Sequence, residues 1–138
     1  MPQLITWTDS FSVGVKAIDS QHRILIATIN ELHDAMSEGR GREVISKTYN
    51  TLLNYTVYHF GTEKNLMNFY GYFGDELRRH RNEHKAFLRT SVELQNQLDS
   101  GHTSLSIPTM DFLRDWWASH ILGTDQALGK FLNSRGVD

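Results

Sequence analysis

Helix-breaking residues are scarce in this chain and fall in a few places, and their distribution limits the fold more than any other feature. Proline occurs only at positions 2 and 108, so nothing between Gln3 and Ile107 removes a backbone N–H from a helix interior. Glycine clusters at Gly39-Arg40-Gly41 and at Gly71-Tyr72-Phe73-Gly74, and a polar stretch from Asp99-Ser100-Gly101 to Pro108 makes a third break. After an N-terminal arm over residues 1–17, these breaks predict helices near 18–38, 42–70, 75–99 and 108–133. At 1.5 Å per residue each is roughly 30–40 Å long.

Periodicity supports the same division. Ile18, His22, Leu25, Ile29, Leu32 and Met36 recur at steps of three and four, as do Val44, Thr48, Leu52, Tyr55, His59, Glu63, Met67 and Tyr70. Leu77, His80, His84, Phe87 or Leu88, Ser91 and Leu98 share a third stripe, and Leu113, Trp116 or Trp117, and His120 a fourth. The expectation is all-α: an antiparallel up-down four-helix bundle with an N-terminal arm, as one domain over residues 1–138.

Composition removes several function classes. No run approaches the roughly 18 apolar residues needed to span a bilayer, and the N-terminus lacks the basic flank and apolar stretch of a secretory signal. With 14 basic and 16 acidic residues well mixed, there is no basic face for nucleic acid. The absence of cysteine excludes disulfides and thiolate-bound metals, and fits a cytoplasmic protein.

The seven histidines carry the functional signal. His22, His59, His80, His84 and His120, together with Glu63, lie on apolar stripes rather than on wet faces. An unpaired ionisable group buried there costs several kcal/mol. One core histidine is ordinarily satisfied by a hydrogen bond; five from four helices beside an inward carboxylate call for a shared partner, and a metal wants neutral nitrogen with anionic oxygen. His59 and Glu63 are four apart, as are His80 and His84, which puts each pair one turn apart on one face. His120 and Asp125 are five apart, a splay of roughly 140° in a regular helix. Both face inward only if the last helix bulges between them, with Gly123 a suitable place. Seven donors suit two ions; mixed imidazole–carboxylate ligation with open positions favours iron over manganese, while two zinc ions need fewer donors.

These residues resemble the hemerythrin family, in particular its stand-alone bacterial members, over nearly the whole chain. The likeness runs from Trp7 and Val13-Gly14-Val15 through Ile18-Asp19-Ser20-Gln21-His22 and His59-Phe60-Gly61-Thr62-Glu63. It continues through His80-Arg81-Asn82-Glu83-His84 to Asp115-Trp116-Trp117-Ala118-Ser119-His120 and Asp125. The resemblance implies a non-haem di-iron centre with two iron ions per chain, oxo- or hydroxo-bridged. His80, His84 and His120 would hold one iron, His22 and His59 the other, and Glu63 and Asp125 would bridge them. The second iron, one ligand short, is then where dioxygen binds. The implied function is reversible dioxygen binding for storage, delivery to an oxygen-consuming enzyme, or buffering. The alternatives are an oxygen or redox sensor acting through a separate partner, and a di-iron enzyme reducing nitric oxide or peroxide. Oligomeric state stays open.

Two positions depart from the family pattern. Trp117 stands where a smaller aliphatic residue is expected near the oxygen pocket, for which Leu25 and Ile26 are the other candidates. Leu128 replaces a frequent tyrosine. His33, without a ligand counterpart, is expected in a hydrogen-bonded structural role, and His102 as a solvated loop residue.

Overall fold

The computed structural model describes residues 3–101 and 106–138. Among them the helices are α1 (Lys16–Ser37), α2 (Arg42–Tyr70), α3 (Gly74–Asp99), α4 (Ile107–Ser119) and α5 (Gln126–Ser134). The first three match the expected segments to within two residues. The fourth expected segment, 108–133, consists of α4 and α5 joined in line by a π-helical turn, His120–Asp125, which is the bulge expected between those two residues. The bundle is therefore four-helical, with α4, the π-turn and α5 making up its last member. His102 falls outside the described residues.

Local chemistry sets the helix ends. Ser106 caps α4 by accepting the Thr109 N–H, with Pro108 in the first turn, where its missing N–H costs nothing. Gly71 ends α2 in the left-handed region (φ 76°), which lets the Tyr72 N–H return to the Met67 carbonyl at 2.9 Å.

The core follows the apolar stripes. Ile18, Leu25, Ile29 and Leu32 of α1 meet Leu52, Phe60 and Met67 of α2, Phe87 of α3, Leu113 and Trp117 of α4, and Leu128 and Leu132 of α5. Val44, placed on the α2 stripe by its spacing, is 41% exposed; it lies in the first turn of that helix, beyond the packed part of the stripe.

The arm ends at Val15 and is fastened to both ends of the chain. Ile5 pairs with the buried Asn30 side chain through N–H to Oδ1 (3.0 Å) and Nδ2 to its carbonyl (2.8 Å). Asp19 in the first turn of α1 accepts the Val13 N–H (2.9 Å) and the Ser12 hydroxyl (2.5 Å). On the other side Gln126 donates to the Ser12 carbonyl at 2.7 Å, and Asn133 to that of Gly14 at 3.0 Å. The arm thus links the helix bearing His22 to the helix that follows Asp125.

Candidate metal centre

All seven sequence-predicted ligands are buried and converge in the bundle interior. They form two groups: Glu63, His80, His84, His120 and Asp125 in one, and His22, His59, Glu63 and Asp125 in the other. Within each group the donor atoms lie within 4.8 Å of one another, and both carboxylates belong to both groups. His22 comes from α1, His59 and Glu63 from one face of α2, and His80 and His84 from one face of α3. His120 and Asp125 open and close the π-turn, the bulge their spacing requires.

The short distances run between donors. His22 Nε2 is 3.0 Å from Asp125 Oδ2, His80 Nε2 is 3.2 Å from Glu63 Oε1, and His84 Nε2 is 3.2 Å from the same oxygen. His120 Nε2 lies 3.1 Å from His84 Nε2 and 3.2 Å from Asp125 Oδ1. Many of the converging atoms make no hydrogen bond among the described residues: Nε2 of His22 and of His59, Oε2 of Glu63 and both oxygens of Asp125. Buried polar atoms are nearly always satisfied, so a cluster of orphans facing one another fits a cation between them. The donor set, imidazole nitrogen and carboxylate oxygen with no sulfur, suits iron.

The electrostatics agree. Burial and the neighbouring Asp125 push the Glu63 carboxyl up, but His59, His80 and His84 outweigh them and hold it at about 2. Asp125 is likewise held well below the ordinary carboxylate range, because His120 and His22 overcome its burial. Burial pushes His59 down to about 4 and lowers His84, leaving both neutral as a metal requires. His120 goes the other way: burial pushes it down, but Asp125 and Glu83 carry it up to about 10. Without metal, the two carboxylates are thus held ionised, and the raised His120 imidazole faces Asp125.

A second set of contacts orients the ligands, and the sequence reading missed it. His59 Nδ1 donates to Gln21 Oε1 at 2.7 Å, and His120 Nδ1 donates to Glu83 Oε1, also at 2.7 Å. The Phe60 ring stacks flat on His84 (3.6 Å, 5°) and Trp116 on His120 (4.5 Å, 12°). Gln21 and Glu83 each directly precede a ligand, at His22 and His84, but their side chains serve histidines 38 and 37 residues away, and no local spacing records that.

Of the pocket candidates, Trp117 is fully buried, its ring 6.1 Å from that of His59. Its indole N–H has no acceptor among the described residues. Leu25 and Ile26 are buried one turn past His22. His33 belongs to neither metal group. It lines a cavity with Leu4, Met36 and Met110, and its buried Nδ1 lacks a partner among the described residues, so the expected hydrogen bond is not found there.

The family model described as the hemerythrin HHE cation binding domain matches residues 13–132. The chain belongs to the hemerythrin family. It is 32% identical over 132 residues to the bacteriohemerythrin of Methylococcus capsulatus (Bath), covering 95% of this chain and 98% of that one. It is also 31% identical to the bacteriohemerythrin of Stenotrophomonas maltophilia, over 90% of this chain and 78% of that protein. A crystal structure of wild-type hemerythrin superposes with a TM-score of 0.87 at 32% identity, covering 94% of this chain and 98% of the other. Hemerythrin membership and the buried His/Glu/Asp cluster together support a di-iron, oxygen-binding protein. No helix among the described residues is long and apolar enough to cross a membrane.

Proposed function

We propose that this hemerythrin binds two iron ions per chain and takes up dioxygen reversibly, for storage, buffering or delivery to an oxygen-consuming enzyme. His80, His84 and His120 would hold one iron and His22 and His59 the other, with Glu63 and Asp125 available to both. The observation that carries the reading is the unequal division of donors. Three histidines serve one group and two the other, while the same two carboxylates complete both. The group built on His22 and His59 thus offers one protein donor fewer, and an iron pair held by these residues would supply reversible binding of dioxygen.

The chain's own residues do the rest. Glu63 and Asp125, ionised far below neutral pH, neutralise part of the metal charge. Only two carboxylates against five imidazoles supply less negative charge than a Glu-rich site, which disfavours oxidation beyond the bound state. Gln21 and Glu83 fix the rings of His59 and His120 with Nε2 turned toward the other donors. Trp117 and Phe60 pack beside the histidines, Phe87 packs against both of those rings, and together they restrict water.

The test is anaerobic loading with ferrous iron, then oxygen addition and removal, followed by visible absorption and iron quantitation. Two irons per chain and a charge-transfer band that appears and leaves with oxygen are expected. Direct passage to the oxidised form would replace the carrier reading with a sensor or a nitric oxide- or peroxide-reducing enzyme. No iron would end the metal assignment.

A further inference from the structure

We infer that Glu83 and Gln21 make the two metal positions electronically unequal: a carboxylate backs a ligand of the three-histidine position, and a neutral amide backs a ligand of the two-histidine position. The inference rests on the di-iron reading above and adds a direction to it. Glu83 turns away from its sequence neighbour His84 toward the last helix. There its Oε1 accepts the His120 Nδ1–H at 2.7 Å, and its two oxygens lie 2.7 and 2.9 Å from the Thr124 hydroxyl, which donates to them. Thr124 sits inside the π-turn, so the same carboxylate holds the backbone between His120 and Asp125. Arg79 flanks it at 3.6 Å, where a surface cavity of about 290 Å³ reaches His120. Across the centre, Gln21 accepts the His59 Nδ1–H at the same 2.7 Å and gives its amide hydrogen to the Thr62 hydroxyl at 3.1 Å.

The two hydrogen bonds are alike in length and differ in charge. An imidazole that donates to a carboxylate is a stronger base at its other nitrogen, because the anion stabilises the positive charge drawn onto the ring. That stabilisation grows with the charge of the ion, so it favours ferric over ferrous iron. An amide oxygen carries no charge and gives little of this preference. The iron held by His80, His84 and His120 is therefore the first to become ferric, and the iron held by His22 and His59 stays ferrous in the one-electron-oxidised protein. Glu83 and Gln21 are positioning residues that act through His120 and His59.

The experiment is an anaerobic redox titration of the iron-loaded protein between dithionite and ferricyanide. Mediators are present, and electron paramagnetic resonance monitors the one-electron-oxidised form. Glu83→Gln keeps an acceptor for His120 and Thr124 while removing the charge, and is expected to raise the first oxidation potential and leave the second. Gln21→Glu adds a charge behind His59 and is expected to lower the second. Each variant thus narrows the gap between the two steps, which a merely structural role would not do. An unchanged gap in both variants, each with two irons bound, overturns the inference. If Glu83→Gln loses iron, Gln21→Glu decides alone, and an unchanged gap there overturns it. Failure of the unaltered protein to bind two irons would instead sink the di-iron reading.

Discussion

His120 Nε2 lies 3.2 Å from Asp125 Oδ1 although the two are five positions apart, and the backbone between them explains how. In a regular helix they would diverge by roughly 140°. The π-helical turn His120–Asp125 winds from i to i+5, which returns Asp125 to the face of His120. The extra residue is accommodated around Leu122 and Gly123, both exposed. One insertion in the last helix therefore gives the site its second carboxylate, within 3.0 Å of His22 on α1.

Glu63 is the carboxylate that α2 contributes to both ligand groups, so Glu63→Ala should release both irons and not one. Its loss also leaves His59, His80 and His84 facing a pocket without their nearest anion. Iron quantitation after anaerobic loading should fall from two per chain to near zero, while far-UV circular dichroism still shows a helical protein. Two irons retained would show that Glu63 is not a bridge.

Trp117 is fully buried beside His59 and Phe60, and its indole N–H is unpartnered among the described residues. Trp117→Leu should leave iron content at two per chain and change the lifetime of the oxygenated form, because it opens space next to the two-histidine position. Trp117→Phe keeps most of the bulk and removes only the N–H, so comparing the two separates volume from donor. The lost packing in the Leu variant should cost on the order of 2 kcal/mol in thermal or denaturant unfolding. An oxygenated lifetime unchanged in both variants would put Trp117 outside the pocket.

The sequence discloses features that repeat along a helix and hides those that join distant ones. Steps of three and four revealed the histidine stripes, and the five-residue gap from His120 to Asp125 revealed a bulge, since a regular helix cannot serve both ligands. No such rule points to Glu83 or Gln21. Each is a polar residue beside a ligand, and only the packing of α3 on the π-turn, and of α1 on α2, shows which histidine it serves. The arm is legible as a segment, but its attachments are not, for the same reason: Ile5 with Asn30, and Ser12 with Gln126, are pairings 25 and 114 residues apart, without period. Val44 erred in the opposite sense, because a stripe says which face is apolar and not how far neighbouring helices cover it.

Iron uptake should depend on pH through His120. In the metal-free protein that imidazole holds its proton up to about 10, whereas ordinary imidazole loses it near 6.5. Metal must displace that proton, so the conditional affinity for ferrous iron should rise about tenfold per pH unit between roughly pH 7 and 9. Chelator competition at several pH values reads the slope, and a flat profile would show that His120 is neutral or not a ligand. His59 acts oppositely on stability. Its folded value of about 4 lies below the unfolded one, so the unfolded chain binds the proton first. The stabilisation from its neutral form is complete above about pH 6.5 and is lost as pH falls toward 4. Denaturant midpoints of the metal-free protein should therefore fall across that window.

Two helical glycines should respond in opposite directions to the same substitution. A Cβ on Gly129 of α5 would lie 2.1 Å from the Val13 carbonyl oxygen and 2.9 Å from the Val13 Cβ, so the arm must move to admit it. Val13 is bound to Asp19, one turn before His22, and its displacement should loosen the start of α1 as well. Gly129→Ala is expected to cost about 1–3 kcal/mol and to speed iron loss to a chelator. Gly61 sits inside α2, and a Cβ there meets no atom within 4 Å. Gly61→Ala should therefore stabilise the protein by about 0.5–1 kcal/mol through backbone entropy alone. Thermal unfolding of the metal-free variants gives both signs in one experiment. A Gly129→Ala protein as stable as the parent would mean that the arm does not rest against α5 in solution.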